Sequence, residues 1–339
     1  MSYTDLPDRS FWKRCRSRPD FRFGEIWQPA FAIDPGMPVS TAGSCFAQHI
    51  GRELRASDAA FVDMEPTPPG MSGATAARFG FGLYSARYGN VYTTAQLLQL
   101  AGDAFAARLR PETFFEKDGA WFDGLRPRIE PGGYATRDLL EAARLSHLRK
   151  VRQMFENSAV FIFTLGLTER WEDGETGSVF PLFPGAVDGA FARPAHRFHN
   201  ARVTEVIAEL DRFITLVRGH NPELRFLFTV SPVPLVATAT GGHVLPATVG
   251  AKAVLRTAAG EVQACHKGCD YFPAYEIVTA SPFCGDAFEA DRRSVKPEVV
   301  RRVIRVFLTA QGLTPCCAEP GPDAFDAVCE EILLDAVRR

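Results

Sequence analysis

Two stretches of this chain are apolar almost without a break for the length of one strand: "AVFIFTLG" at 159–166 and "LRFLFTVSPVP" at 224–234. A strand with one wet face alternates apolar and polar residues. A run without polar breaks belongs to a strand covered on both faces. Helical patterns surround these runs, at 45–55, from Thr93-Thr94 to about 108, at 137–156, at 203–218, at about 250–264 and at about 297–311. Strands alternating with helices predict a parallel sheet with helices on both faces, a three-layer α/β/α domain. A first strand is expected at 37–43, and a short strand with a turn in "DYFPAYEIV" at 270–278. The Gly-, Pro- and aromatic-rich stretch 110–134 reads as irregular, and a last helix is expected over 322–338.

No boundary splits the pattern, so we read an N-terminal arm at 1–36, one α/β domain at 37–312 and a helical extension at 313–339. A formal net charge of −2 does not suit a chain that wraps a polyanion, and "HLRKVRQ" (147–153) reads as a solvated helix face, so no nucleic-acid partner is expected. No apolar run reaches the roughly 20 residues of a membrane span. The N-terminus is polar and charged and lacks the apolar stretch of a secretion signal, which predicts a cytoplasmic protein without a membrane partner. The eight cysteines include no CxxC pair, and Cys265-His266…Cys269 has no second pair at finger spacing, so neither a disulfide framework nor a metal is expected. Phosphate-loop, dinucleotide and zinc-protease motifs are lacking, and no cofactor is expected. The sequence leaves the oligomeric state open.

In parallel sheets ligands bind beyond the carboxyl ends of the strands. Those ends fall in "GSCFA" (43–47), "TLGLTERW" (164–171) and "TVSPVPL" (229–235). At the first, a helix starting near Ser44 offers unpaired N–H groups and a partial positive charge. That setting pushes a thiol such as Cys45 towards thiolate and can stabilise an oxyanion. His49 lies one helical turn beyond Cys45, on the same face. The same spacing also accommodates Cys45 as a small buried residue and Ser44 as a helix cap.

Five stretches together resemble the GSCFA family: "GSCFA", "ARYGNVYTTAQLLQL" (86–100), "FTLGLTERW" (163–171), "TVSPVPL" and "DYFPAYEIV". The resemblance covers roughly residues 20–310. The family looks like a remote branch of the SGNH/GDSL hydrolases, which are esterases, lipases and acyltransferases on a flavodoxin-like fold. It implies a nucleophile at Cys45, with Ser44 as the alternative. It also implies an oxyanion donor at Gly89 with Asn90 beside it, and Thr168, followed by Glu169, where the superfamily has an oxyanion asparagine. The superfamily's Asp-x-x-His falls on "DRRSVKPEVV", which supplies Asp291 but has Ser294 in place of histidine. No histidine follows His266.

The base must therefore come from elsewhere, or the chain binds without catalysing. His49, His196 and His199 in "AHRFHN", read as a loop, and His243, beyond the "TVSPVPL" strand, are the candidate substitutes. His147 and His220 have no motif around them. Glu276 is structural or lines the site. Lys252 and Arg256, four apart on one helix, read as a solvated stripe that would suit an anionic substrate only if it faced the cleft. The expected function is hydrolysis or transfer of an acyl group of a small-molecule or saccharide ester. The alternative is a degenerate hydrolase that binds a glycan or small acid.

Overall fold

A computed structural model describes residues 2–17, 23–188, 191, 194–280, 285–314 and 334. The helix expected over 322–338, and with it nearly all of the expected C-terminal extension, lies outside the described residues. The central sheet holds β1 (Pro38–Gly43), β2 (Ala60–Phe61), β3 (Val160–Leu165), β4 (Arg225–Val230) and β5 (Cys269–Phe272), all parallel. The principal helices are α1 (Ala47–Arg55), α2 (Thr94–Ala106), α3 (Arg137–Asn157), α4 (Val203–Arg218), α5 (Val244–Cys265) and α6 (Pro297–Gln311).

The two apolar runs become β3 and β4, and every residue of β3 is buried. Alternate side chains serve opposite layers, as the strand period requires. Phe161, Phe163, Phe226 and Phe228 pack with Leu97, Leu148, Phe155, Phe213 and Leu255 from α2 to α5. Val160, Ile162 and Leu227 pack the other way, with Phe46 just before α1, Ile50 of α1 and Val303 and Phe307 of α6. The fold is thus the expected three-layer α/β/α arrangement. The N-terminal segment joins the second layer through Trp27, whose ring stacks on that of Phe307 at 6.0 Å.

The strands lie in the order β2-β1-β3-β4-β5. This is the flavodoxin-like doubly wound order, in which the chain leaves β1 towards one edge and returns on its other side as β3. The crevice where winding reverses therefore lies between the ends of β1 and β3. Gly43 is in register with Thr164, and Thr164 with Thr229 of β4.

Four local expectations are corrected. The stretch 110–134 contains a hairpin, Phe114–Lys117 paired with Ala120–Asp123. Its two-residue turn, Asp118-Gly119, has positive φ at both positions, the geometry that matches strand twist. "AHRFHN" is not a loop: His196–Asn200 pairs with Glu169–Asp173, which also pairs with Val179–Phe180, in a small antiparallel sheet beyond β3. α5 begins at Val244, six residues before the expected start, because Pro246 sits in its first turn, where a missing N–H costs no helical bond. Finally, "DYFPAYEIV" is a strand only to Phe272, and Ala274–Thr279 is a helix.

Candidate active site

Glycine makes the head of β1 sterically feasible. Gly43 has φ +146°, and a Cβ there would lie 2.6 Å from the Thr164 carbonyl oxygen. Its absence lets β1 and β3 close up so that Ser44 N–H donates to Thr164 O at 3.2 Å, while Gly43 O accepts from Val91 N–H at 2.9 Å. The chain then turns at once into α1: Ala47 N–H donates to Ser44 O at 2.8 Å and Gln48 N–H to Cys45 O at 3.2 Å. Ser44 and Cys45 are buried, at 3% and 5% exposure. The Ser44 hydroxyl has no hydrogen-bond partner among the described residues.

The opposite wall is the end of β3. A Cβ on Gly166 would lie 3.0 Å from Ser44 Cβ and 3.1 Å from Tyr92 O, so only glycine admits Ser44 here without displacement. Gly166 N–H and Leu167 N–H both donate to Tyr92 O at 3.0 Å. The Gly166 carbonyl accepts from Lys252 Nζ of α5 at 2.7 Å, and Lys252 is 1% exposed. Gly166 therefore touches both the serine–cysteine junction and a buried lysine. Lys252 is not on a solvated stripe, which corrects the sequence reading. It shares a helix stripe with Leu255, Ala259 and Val262, all fully buried. Arg256 points elsewhere, pairing with Glu276 at 2.6 Å.

The third wall is "ARYGN". Gly89 has φ +73° and is buried with Asn90. Asn90 Oδ1 accepts from Gln48 Nε2 at 3.1 Å and also meets the Tyr84 hydroxyl, which lies 3.0 Å from Ser44 O. With Oδ1 held on the Tyr84 and Gln48 side, the amide nitrogen of Asn90 points away from them. Gln48 and Tyr84, which the sequence reading missed, lock that orientation. No sequence signal marked Tyr84. Gln48 lies three residues past Cys45, within the first helical turn.

The other candidates lie apart, and Ser44 makes no hydrogen bond to any of them. The Thr168 hydroxyl donates to Asn200 Oδ1 at 2.7 Å, so it is engaged with the small sheet and not aimed at an oxyanion. Glu169 holds the loop after β4, accepting from Thr238 Oγ1 at 2.6 Å and Ala239 N–H at 3.0 Å. The His49 ring packs edge-on against Phe46. Burial, helped by Arg52, lowers its pKa to about 4, which makes it a poor proton acceptor at neutral pH. His196 is buried among aromatic rings, those of Phe180 and Phe191. His199, on a strand instead of the expected loop, pairs with Glu205 at 3.0 Å. His243 caps α5, its Nδ1 accepting from Leu245 N–H at 3.1 Å. Asp291 lies in an exposed turn, where Ser294 Oγ donates to it at 2.6 Å; that bond and the backbone N–H groups of Arg293 and Ser294 lower its pKa.

A cleft of about 520 Å³ opens beside Leu167, between the small sheet and the loop after β4, and is lined also by Leu334. No helix among the described residues is long and apolar enough to cross a membrane.

No curated protein matches this sequence. The model of the GSCFA family does, over residues 38–307, a span that runs from β1 into α6 and includes every wall of the site. The chain therefore belongs to the GSCFA family.

Proposed function

We propose that this protein hydrolyses or transfers acyl groups, with Cys45 as nucleophile and Lys252 as proton carrier. One observation carries the reading: Gly166 packs so closely on Ser44 that a Cβ there would lie 3.0 Å from Ser44 Cβ, and its carbonyl accepts from Lys252 Nζ at 2.7 Å. A buried amine is thus linked through Gly166 to the junction at the head of β1, and no histidine among the described residues makes a hydrogen bond to the Ser44 hydroxyl there. Water-poor surroundings disfavour an ammonium, and general-base lysines exploit this. The resemblance to the SGNH/GDSL hydrolases supports the same reaction class.

The neutral Lys252 amine takes the Cys45 S–H proton. The thiolate attacks the ester carbonyl carbon, a C–S bond forms, and the carbonyl π electrons move to oxygen. The Asn90 amide nitrogen and the Ser44 hydroxyl donate to that oxyanion. The intermediate collapses, the bond to the leaving oxygen breaks, and Lys252 gives that oxygen its proton. Water or an acceptor hydroxyl, such as a sugar's, then loses a proton to Lys252 and attacks the thioester. The C–S bond breaks and the thiol regains its proton. A thiol nucleophile suits a reducing compartment, in line with a cytoplasmic location.

The test is intact-protein mass spectrometry after exposure to activated acyl esters. Wild type and Ser44→Ala should gain one acyl group, and Cys45→Ala none. An adduct lost only in Ser44→Ala moves the nucleophile by one residue. No adduct on folded wild type refutes the reading and leaves the binding-protein alternative.

A further inference from the structure

We infer that the cleft beside Leu167 is an acyl-chain site and that the substrates are esters or thioesters of hydrophobic acids; this rests on the acyl-transfer reading. The cleft, at about 520 Å³, falls within the usual range for small-molecule sites. Its walls are mainly apolar: Leu167 from the end of β3, Trp171 and Phe198 from the small sheet, Phe183, and Leu235 and Val236 from the loop after β4. The rings of Phe183 and Phe198 lie 4.5 and 5.8 Å from that of Trp171, which makes one continuous aromatic wall.

The polar groups of the cleft decide between an acyl chain and a sugar. A saccharide needs a dense set of uncommitted donors and acceptors. Here both carboxylate oxygens of Glu169 are engaged, by Thr238 Oγ1 and Ala239 N–H. Arg170 is paired with Glu172 at 2.5 Å and with Glu209 at 2.9 Å. The Thr238 hydroxyl is shared between Glu169 and Thr240. The protein spends this polarity on its own walls, and aliphatic and aromatic surface remains.

Position gives the site its function. Leu167 lines the cleft, and the preceding residue, Gly166, abuts Ser44. A carbonyl at the serine–cysteine junction therefore has its alkyl side directed past Leu167 towards Trp171. Any sugar or water that accepts the acyl group must approach from another direction.

The test uses the full chain with acetyl, butyryl, hexanoyl, octanoyl and decanoyl nitrophenyl esters. It reads the rate of adduct formation and, separately, the binding of hexanoate, octanoate and decanoate to Cys45→Ala by calorimetry. A chain partly buried in an open cleft should gain about two- to fourfold in acylation rate and in affinity per methylene until the cleft is filled. The octanoyl-to-acetyl rate ratio should fall about tenfold in Trp171→Ala, which removes the central ring. Equal rates and affinities along the series overturn the inference while leaving the acyl-transfer reading intact. Graded binding without any adduct supports the chain site and refutes that reading. The unmutated series decides the outcome even if Trp171→Ala does not fold.

Discussion

Replacing Lys252 with methionine separates a structural lysine from a proton carrier. Methionine keeps an unbranched chain of similar length in a position that is 1% exposed. The substitution removes the 2.7 Å bond to Gly166 O, a charge-assisted contact of about 1.5–3 kcal/mol when the amine is protonated. It also removes the cost of keeping an ionisable group out of water, an effective penalty of several kcal/mol per buried ion. These terms oppose each other, so Lys252→Met should unfold within about 2 kcal/mol of wild type in urea. Loss of a general base should slow single-turnover acylation by about 100- to 10,000-fold. That is about 3–5 kcal/mol added to the barrier, well outside the stability change. Lys252→Arg provides the control: a guanidinium can hold the Gly166 carbonyl but does not give up its proton. Adduct formation followed against pH by intact mass should rise to a plateau in wild type as the base loses its proton, and both variants should lose that limb. If Met and Arg variants acylate within about threefold of wild type and keep its pH profile, Lys252 does not carry the proton.

Gly43→Ala places a methyl 2.6 Å from Thr164 O and 2.8 Å from Thr164 N, both backbone atoms that cannot rotate away, at φ +146°. Urea unfolding should show a loss of about 3 kcal/mol or more, from positive-φ strain plus separation of β1 from β3, and a loss below about 1 kcal/mol would contradict the packing described. His49 and His147 are buried with pKa values lowered to about 4, by burial first and then by Arg52 and Arg126 respectively. Below an ordinary histidine pKa the unfolded chain binds protons that the folded chain refuses, so stability falls as pH drops from about 6.5 towards 4. Each histidine should withdraw about 2 kcal/mol between pH 7 and 5, and an unfolding midpoint that stays constant over that interval refutes the assignment.

Among the strands, the central ones were legible in the sequence because their burial is nearly complete. β3 and β4 are covered on both faces, so their residues carry one chemical signal along their length. The small sheet beyond β3 is half-exposed: Glu169, Arg170, Trp171 and Glu172 are all partly buried, and the mixture hides the strand. The strand ends singled out the stretches that the fold brings together at the heads of β1 and β3, whereas the partners of their side chains were not legible. Thr168 was read as an oxyanion donor by alignment of glycines, but its hydroxyl is needed to tie β3's extension to Asn200. Lys252 was read from the Arg256 spacing alone. Leu255, Ala259 and Val262, three, seven and ten residues on, placed it on the core stripe, where a cation has no ordinary reason to be.

The same burial sets what a substrate must bring. Ser44, Cys45, Asn90 and Lys252 are all at or below 5% exposure. On the acyl-transfer proposal a carbonyl must shed its water to reach them, and polar contacts made there act in a low dielectric, where each is stronger than in solvent. The desolvation must be offset by contacts remote from the reacting carbon, since uniform binding at the centre adds nothing to the chemical step. Lining residue Leu167 stands one position from Gly166, and both are held by Tyr92 O at 3.0 Å, so the acyl-chain proposal predicts that chain burial in the aromatic cleft acts on the junction through these two consecutive residues. Shortening the acyl chain should then lower the maximal acylation rate as well as the affinity. A chain-length effect confined to affinity would place the cleft beside the chemistry without coupling it to the reacting carbonyl.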